Sequence, residues 1–257
     1  MKVKFNPSAR IGQVIFVVEG DQTEHELIEH VFADLLKYEC VHHYRNKGAK
    51  YKNPRNQYGF VSVISAEKSC ISSVKSGQGY LNAIYKEMID SYKLRPDSAS
   101  IYYLFDRDRS SNTKPKVIRD LITEFSSSSG EADATESQGL LLISYPSLES
   151  AVLSAIPRID IPAGFVSAQD LKTFIQNKHI KLGMITQNGL KFAAKAFYDS
   201  FKQILKSPFQ TDSLDSFSLI NEQIFDAEEN IYHVSSRYIF LSLFILSLVD
   251  LKILSFS

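Results

Sequence analysis

Two cysteines, Cys40 and Cys70, are too few for a disulfide framework, and with no CxxC spacing they do not read as a zinc site. A reducing cytoplasm is therefore the expected compartment. The charge has no dominant sign: 29 Lys and Arg balance 29 Asp and Glu, so no global field points to nucleic acid or an anionic membrane, and any such site must be local. A membrane-length apolar run is also missing. The most apolar segment, YIFLSLFILSLVDLKILSF (238–256), is interrupted at Asp250, short of the ~20 residues a spanning helix needs, and it is expected to be a buried core helix or a partner-binding helix. The opening MKVKFNPSARIGQ carries charge but no apolar h-region, so it does not read as a secretory signal, and the mature chain is expected to start here. There is no GxxxxGK[ST], no internal repeat, and no zinc spacing among the six histidines, which are expected to be structural or surface residues, His25 and His30 among them.

What the chain does have is 44% hydrophobic residues over 257 positions, enough for a substantial core in one large domain or a domain with an appended unit. QVIFVV (13–18) is β-branched and apolar on both faces, as a strand covered on both sides requires. TEHELIEHVFADLLKY (23–38) then switches to helical spacing. The alternation recurs in FVSVIS (60–65) with YLNAIYKEMIDSYKL (80–94), then SIYYLF (100–105) with PKVIRDLITEF (115–125), then GLLLIS (139–144). Such alternation predicts right-handed crossovers and an α/β fold with a parallel sheet and flanking helices over residues 1–160. From about 167 the periodicity is helical, in DLKTFIQNKH, LKFAAKAFYDSFKQIL and LINEQIFDAEENIYHV, which predicts a helical C-terminal region over 161–257. SSSSGEADATESQG (126–139) reads as an acidic, serine-rich surface loop.

The acids stand where the apolar runs end. Glu19 and Gly20 follow the first strand, and LFDRDRS brings Asp106 and Asp108 to the end of a later one. Ligands of open parallel sheets collect beyond the carboxyl ends of the strands. Asp106 and Asp108 are two apart, so on an extended backbone their carboxylates share a side while Arg107 points away. Carboxylates gathered from two βα units repel one another, and a hard divalent ion, Mg²⁺ or Mn²⁺, relieves that repulsion.

VVEGDQTE followed by YLFDRDRS resembles the toprim domain, the catalytic fold of topoisomerases, primases, nucleases of the overcoming-lysogenization-defect (OLD) group, and small anti-phage effectors of the RloB-like and PARIS type. The resemblance, over roughly residues 13–156, implies a Rossmann-like toprim sheet with Glu19, Asp106 and Asp108 as metal ligands. In the OLD-like branch a second acid after the EG serves a second metal, and Glu24 stands in that place. SYPSLESAVLSAI (144–156) resembles the segment after the last core strand of the small effectors, which implies a catalytic role for Glu149. The implied activity is metal-dependent hydrolysis of phosphodiester bonds in DNA or RNA, tRNA included, by the effector of a bacterial defence system under an ATPase or sensor partner. Homo-oligomerisation is left open. In so short a chain, without gate domains, a nuclease is expected over a topoisomerase or primase.

Other readings of the same residues stand beside this one. Asp21 and Glu24 have capping-box spacing, with Asp21 as N-cap, and Glu149 would sit in the first turn of a helix, where acids are favourable in any case. FDRDRS also resembles the DxD nucleophile motif of haloacid-dehalogenase phosphatases, although two βα units precede it and Glu19 then has no role. A toprim fold kept only for binding, as an interaction or regulatory module, is a further alternative.

HHYRNKGAKYKNPRNQY (42–58) holds Arg45, Lys47, Lys50, Lys52 and Arg55 with no acid, and interleaves Tyr44, Tyr51 and Tyr58. Cations that contact phosphates and rings that stack on bases make this a candidate nucleic-acid clamp on a flexible loop, with a solvated surface loop as the plainer reading. Arg107 and Arg109, with Lys114 and Lys116, are further candidate phosphate contacts.

Overall fold

The computed structural model describes residues 1–20, 22–44, 48–65, 77–110, 114–128, 139–162, 165–205 and 215–257. The first half of the chain forms β1 (Val3–Phe5), β2 (Gln13–Val18), α1 (Thr23–Glu29) continued by a π-helical stretch (His30–Leu35), β3 (Glu39–Tyr44), β4 (Gly48–Lys52), β5 (Phe60–Ser65), α2 (Gly77–Asp90), β6 (Ala99–Asp106) and α3 (Pro115–Glu124). There follow β7 (Ser126–Ser127), β8 (Gly139–Tyr145), α4 (Glu149–Ser154), α5 (Ala168–Asn177), α6 (Gln187–Leu205), α7 (Asp215–Ser235), β9 (Leu241–Ser242), α8 (Phe244–Asp250) and β10 (Leu254–Phe256). The architecture is α/β, with a parallel centre to the sheet, flanking helices and a helical C-terminal part.

Two compact units divide the chain: a sheet unit, Arg10–Phe105 with Ser110–Leu141, and a helical unit, Met1–Ala9 with Asp106–Arg109 and Leu142–Ser257. Asp106–Arg109 and residues 142–160 group with the helical unit.

In the sheet unit the strand order runs β3-β4-β5-β2-β6-β8-β7. β2 lies parallel to both β5 and β6, pairing Val18 with Ser65 on one side and with Leu104 on the other. Burial on both faces explains the apolar runs. On one face the register partners Phe16 and Tyr102 stack at 5.3 Å, and Phe32 of the π-helical stretch meets Phe16 at 5.8 Å. On the other, Tyr103 and Phe105 both meet Tyr80 of α2, and Tyr103 also meets Phe125 at the end of α3. Each such side chain taken from water contributes roughly 1.5–3 kcal/mol. β8 starts at Gly139, whose φ of +135° suits glycine and whose missing side chain leaves room for the Tyr103 ring.

Within the basic stretch His42–Tyr44 belong to β3 and Gly48–Lys52 to β4, where a loop was expected: β3 pairs antiparallel with β4, and β4 with β5. β3 is exposed at Glu39, Cys40, Val41, His42 and His43, so it carries no apolar alternation to announce a strand.

In the helical unit α6 buries Leu190, Ala193, Ala194, Phe197 and Phe201 on one face. The 238–256 segment is strand, short helix and strand where one helix was expected. β9 pairs with the end of β8, α8 is buried from Phe244 to Val249, and β10 pairs antiparallel with β1. Among the described residues no helix is long and apolar enough to cross a membrane.

Candidate active site

Glu19 and Gly20 leave the carboxyl end of β2 and lead into α1. A Cβ at Gly20 would collide with the Glu24 carboxylate, which folds back over this turn and is buried. Glycine at position 20 is thus what lets an acid one turn later approach the backbone behind Glu19. The helix begins at Thr23 with Gln22 as N-cap and no side-chain cap bond, so Glu24 does not occupy the third helical position that a capping box demands. Asp21 lies outside the described residues.

Ser65, the last residue of β5, fastens the same turn. Its hydroxyl donates to the Gly20 carbonyl at 2.8 Å, which commits its single proton. The 2.6 Å contact with His25 Nε2 is therefore filled by an Nε2–H donating to Ser65 Oγ. In this arrangement Ser65 is not a nucleophile deprotonated by His25; the pair holds the Glu19–Gly20 turn. His25, expected to be structural or surface, is an intermediate-exposure member of this edge.

Asp106 ends β6, and in the helical unit its Oδ1 accepts the Leu148 N–H at 2.9 Å, while the Arg107 N–H donates to the Ser144 carbonyl at 2.8 Å. Asp106 and Asp108 are half-buried. Glu149 opens α4, is buried, and pairs with Lys172 Nζ at 3.6 Å. Glu19 and Glu24 thus belong to the sheet unit, and Asp106, Asp108 and Glu149 to the helical unit. The donors are all oxygen, which suits Mg²⁺ or Mn²⁺ in chemistry. Among the described residues no group of three or more His, Cys, Asp or Glu gathers closely enough to hold a metal ion.

Both arginines of the DRDR run reach a carboxylate of α7. Arg107 is 1% exposed, and its Nε and Nη2 donate to Glu229 Oε1 at 3.1 and 2.8 Å. Arg109 donates to the same carboxylate, Nη1 to Oε2 at 3.1 Å and Nη2 to Oε1 at 2.8 Å, and its guanidinium lies over the Tyr232 ring at 3.8 Å. The Arg109 backbone N–H donates to the Tyr238 hydroxyl at 2.6 Å. Glu228, fully buried beside Glu229, accepts the Ile239 N–H at 2.9 Å and lies 3.8 Å from Arg109. Burial pushes its carboxyl up to about 7 against the opposing pull of that N–H and of both arginines.

Sequence reasoning did not single out Glu228 or Glu229, though a signal for Glu228 exists. Phe217, Ile220, Ile224 and Phe225 form the buried stripe of α7, and Glu228 continues it at helical spacing, an acid where the pattern calls for an apolar residue. Glu229 left no such mark.

In the hairpin, Lys50 Nζ lies 4.5 Å from the centroid of the Phe60 ring, Lys52 is half-buried and Arg55 is exposed; Arg45 and Lys47 lie outside the described residues. Tyr51 is buried and Tyr44 is half-buried against Tyr92, which leaves Tyr58, 72% exposed, as the ring open to solvent. Lys114 and Lys116, before and within the first turn of α3, are exposed. No family model, curated protein or solved structure matches the chain.

Proposed function

We propose that this chain is a metal-dependent nuclease of the toprim type, cutting phosphodiester bonds in DNA or RNA. The observation that carries the reading is the register of the central strands: Val18 pairs with Leu104 in parallel, so the segments leading into Glu19 and into Asp106 run to the same edge of the sheet. That edge is where parallel sheets recruit ligands. The Glu24 carboxylate packed over Gly20 supports a role for the EG turn beyond chain reversal.

In this reading Glu19, Asp106 and Asp108 would hold Mg²⁺ or Mn²⁺, with Glu24 or Glu149 available to a second ion. The bound metal would supply charge neutralisation at the scissile phosphate and a water of lowered pKa. The chain's own carboxylates supply the oxygen donors. The exposed cations of the hairpin, Arg55 foremost, would position the strand. The same resemblance extends the proposal to a cytoplasmic defence effector controlled by an ATPase or sensor protein.

The test incubates the purified protein with Mn²⁺ or Mg²⁺ and with plasmid DNA, single-stranded DNA and tRNA, beside Glu19→Ala, Asp106→Ala and Asp108→Ala. Metal-dependent cleavage is expected from the wild type and loss of at least about a hundredfold from each variant, with thermal unfolding unchanged in Glu19→Ala and Asp108→Ala and modestly lowered in Asp106→Ala, which leaves the Leu148 N–H without its acceptor. Cleavage at the wild-type rate by both Glu19→Ala and Asp106→Ala overturns the reading, as does release of phosphate from monoesters without strand cleavage.

A further inference from the structure

We infer that the turn at 53–59, between β4 and β5, is a docking site for single-stranded nucleic acid remote from the candidate active site, with Tyr58 stacking on an unpaired base and Arg55 and Arg10 meeting the flanking phosphates. The inference deepens the reading of the chain as acting on nucleic acid and rests on it, but neither a metal nor any of the candidate ligands enters it.

The strand register fixes where the turn lies. Lys52 pairs with Phe60, and Phe60 with Gln13, the first residue of β2, whereas Glu19 follows Val18 at the other end of that strand. Five steps of parallel strand at about 3.3 Å each put the turn and the Glu19 edge about 17 Å apart along the sheet. β4 thus carries the basic stretch away from the Glu19 edge, where Ala49 pairs with Val63, to the opposite one.

The turn is closely bonded. The Asn53 N–H donates to the Gly59 carbonyl at 2.9 Å, and the Gly59 N–H to the Asn56 carbonyl at 3.0 Å. The side-chain oxygens of Asn53 and Asn56 accept the backbone N–H groups of Arg55 and Tyr58 at 2.9 and 3.1 Å, while their amide nitrogens donate to the Tyr38 hydroxyl and the Ile11 carbonyl. The last of these bonds ties the segment that carries Arg10 to the turn.

On this frame Tyr58 is 72% exposed, the most open ring among the described residues. Arg10 and Arg55 are exposed, and among the described residues neither guanidinium pairs with an acid. Glu39 stands opposite Lys52 in register and offsets that cation, which leaves the two arginines as the local excess. A protein partner needs contiguous apolar area at the core of its interface, and here a single ring stands among Pro54, Arg55 and Gln57. A nucleic-acid strand needs a ring for a base to lie on and cations for its backbone.

The chain has no tryptophan, so Tyr58→Trp places one fluorophore at the site, in a position exposed enough to accept it. The full chain, in EDTA so that no strand is cut, is titrated with single-stranded DNA and RNA oligonucleotides. Binding of labelled strands is read in parallel by anisotropy for wild type, Tyr58→Phe, Tyr58→Ala, and Arg10→Gln with Arg55→Gln. The Tyr58→Trp emission is expected to be quenched, saturating together with the anisotropy change. Binding is expected to weaken at least about fivefold in Tyr58→Ala and to be kept in Tyr58→Phe. The slope of log K against log salt should flatten by about 0.7 per arginine in the double variant. The two oligonucleotides tell DNA from RNA. Emission unmoved by either strand, or Tyr58→Ala binding as tightly as the wild type, overturns the inference and is what a ring reserved for a protein contact gives; a wild-type salt slope in the double variant overturns the part given to the arginines. A protein that is quenched but cuts no strand sinks the nuclease reading and leaves the docking site standing, and cutting without quenching does the reverse.

Discussion

The carboxylate of Glu24 fills the space that a side chain at position 20 would occupy. The clash in Gly20→Ala is with the far end of a flexible side chain and spares the backbone, so Glu24 can swing aside. The substitution is expected to cost about 1 kcal/mol, the low end for added bulk, while displacing the Glu24 carboxylate. Urea unfolding beside metal-dependent cleavage checks this. A large loss of stability with full specific activity would show that the turn matters only for folding.

Glu228 makes stability fall as pH rises over a defined window. Its carboxyl titrates near 4.5 in the unfolded chain and is raised to about 7 in the fold, so between these values the folded state holds a proton that the unfolded state has released. The stabilisation is complete below pH 4.5 and is lost as pH climbs through 7, by up to about 3 kcal/mol on the usual conversion. Glu228→Gln keeps an acceptor for the Ile239 N–H and removes the titration. The gap in urea midpoint between variant and wild type is expected to widen in the variant's favour from pH 5 to pH 8, and parallel pH profiles would contradict this.

Arg107 is a structural cation. Arg107→Ala removes a buried cation from a Glu229 carboxylate that is itself only 20% exposed and is expected to cost about 3 kcal/mol in urea unfolding, with Arg109→Ala costing less because Arg109 is 19% exposed. Arg107→Lys should recover only part of the loss, since an ammonium lacks the two-pronged donor geometry. Arg107→Met should leave the salt dependence of nucleic-acid binding unchanged.

Lys52→Gln with Arg55→Gln should flatten the slope of log K against log salt by about 0.7 per lost contact on single strands or about 0.9 on duplex. Binding of an Asp106→Ala protein to labelled DNA and RNA across a salt series measures it. Lys50→Gln is expected to have the smaller effect, its ammonium already lying over the Phe60 ring. Equal slopes in all proteins would return the hairpin to an ordinary solvated surface.

The chain's own letters carried the central strands. QVIFVV and FVSVIS match β2 and β5 residue for residue, because a strand buried on both faces is mostly apolar along its length, and that demand is met locally. The positions of Glu19 and Asp106 at the ends of β2 and β6 follow from the same runs. The hairpin did not announce itself, since β3 is held by backbone pairing to β4 while its side chains face water. Nor could the 238–256 segment be sorted by composition: residues apolar on every side suit a buried strand or a buried helix equally. What settles it is the backbone partners β8 and β1, supplied by distant parts of the chain. The arginines of DRDR show the limit most clearly. Their charge was plain in the sequence, but whether a guanidinium meets solvent, a phosphate or a protein carboxylate depends on what the fold sets opposite it. Here that is Glu229, 122 positions from Arg107 along the chain.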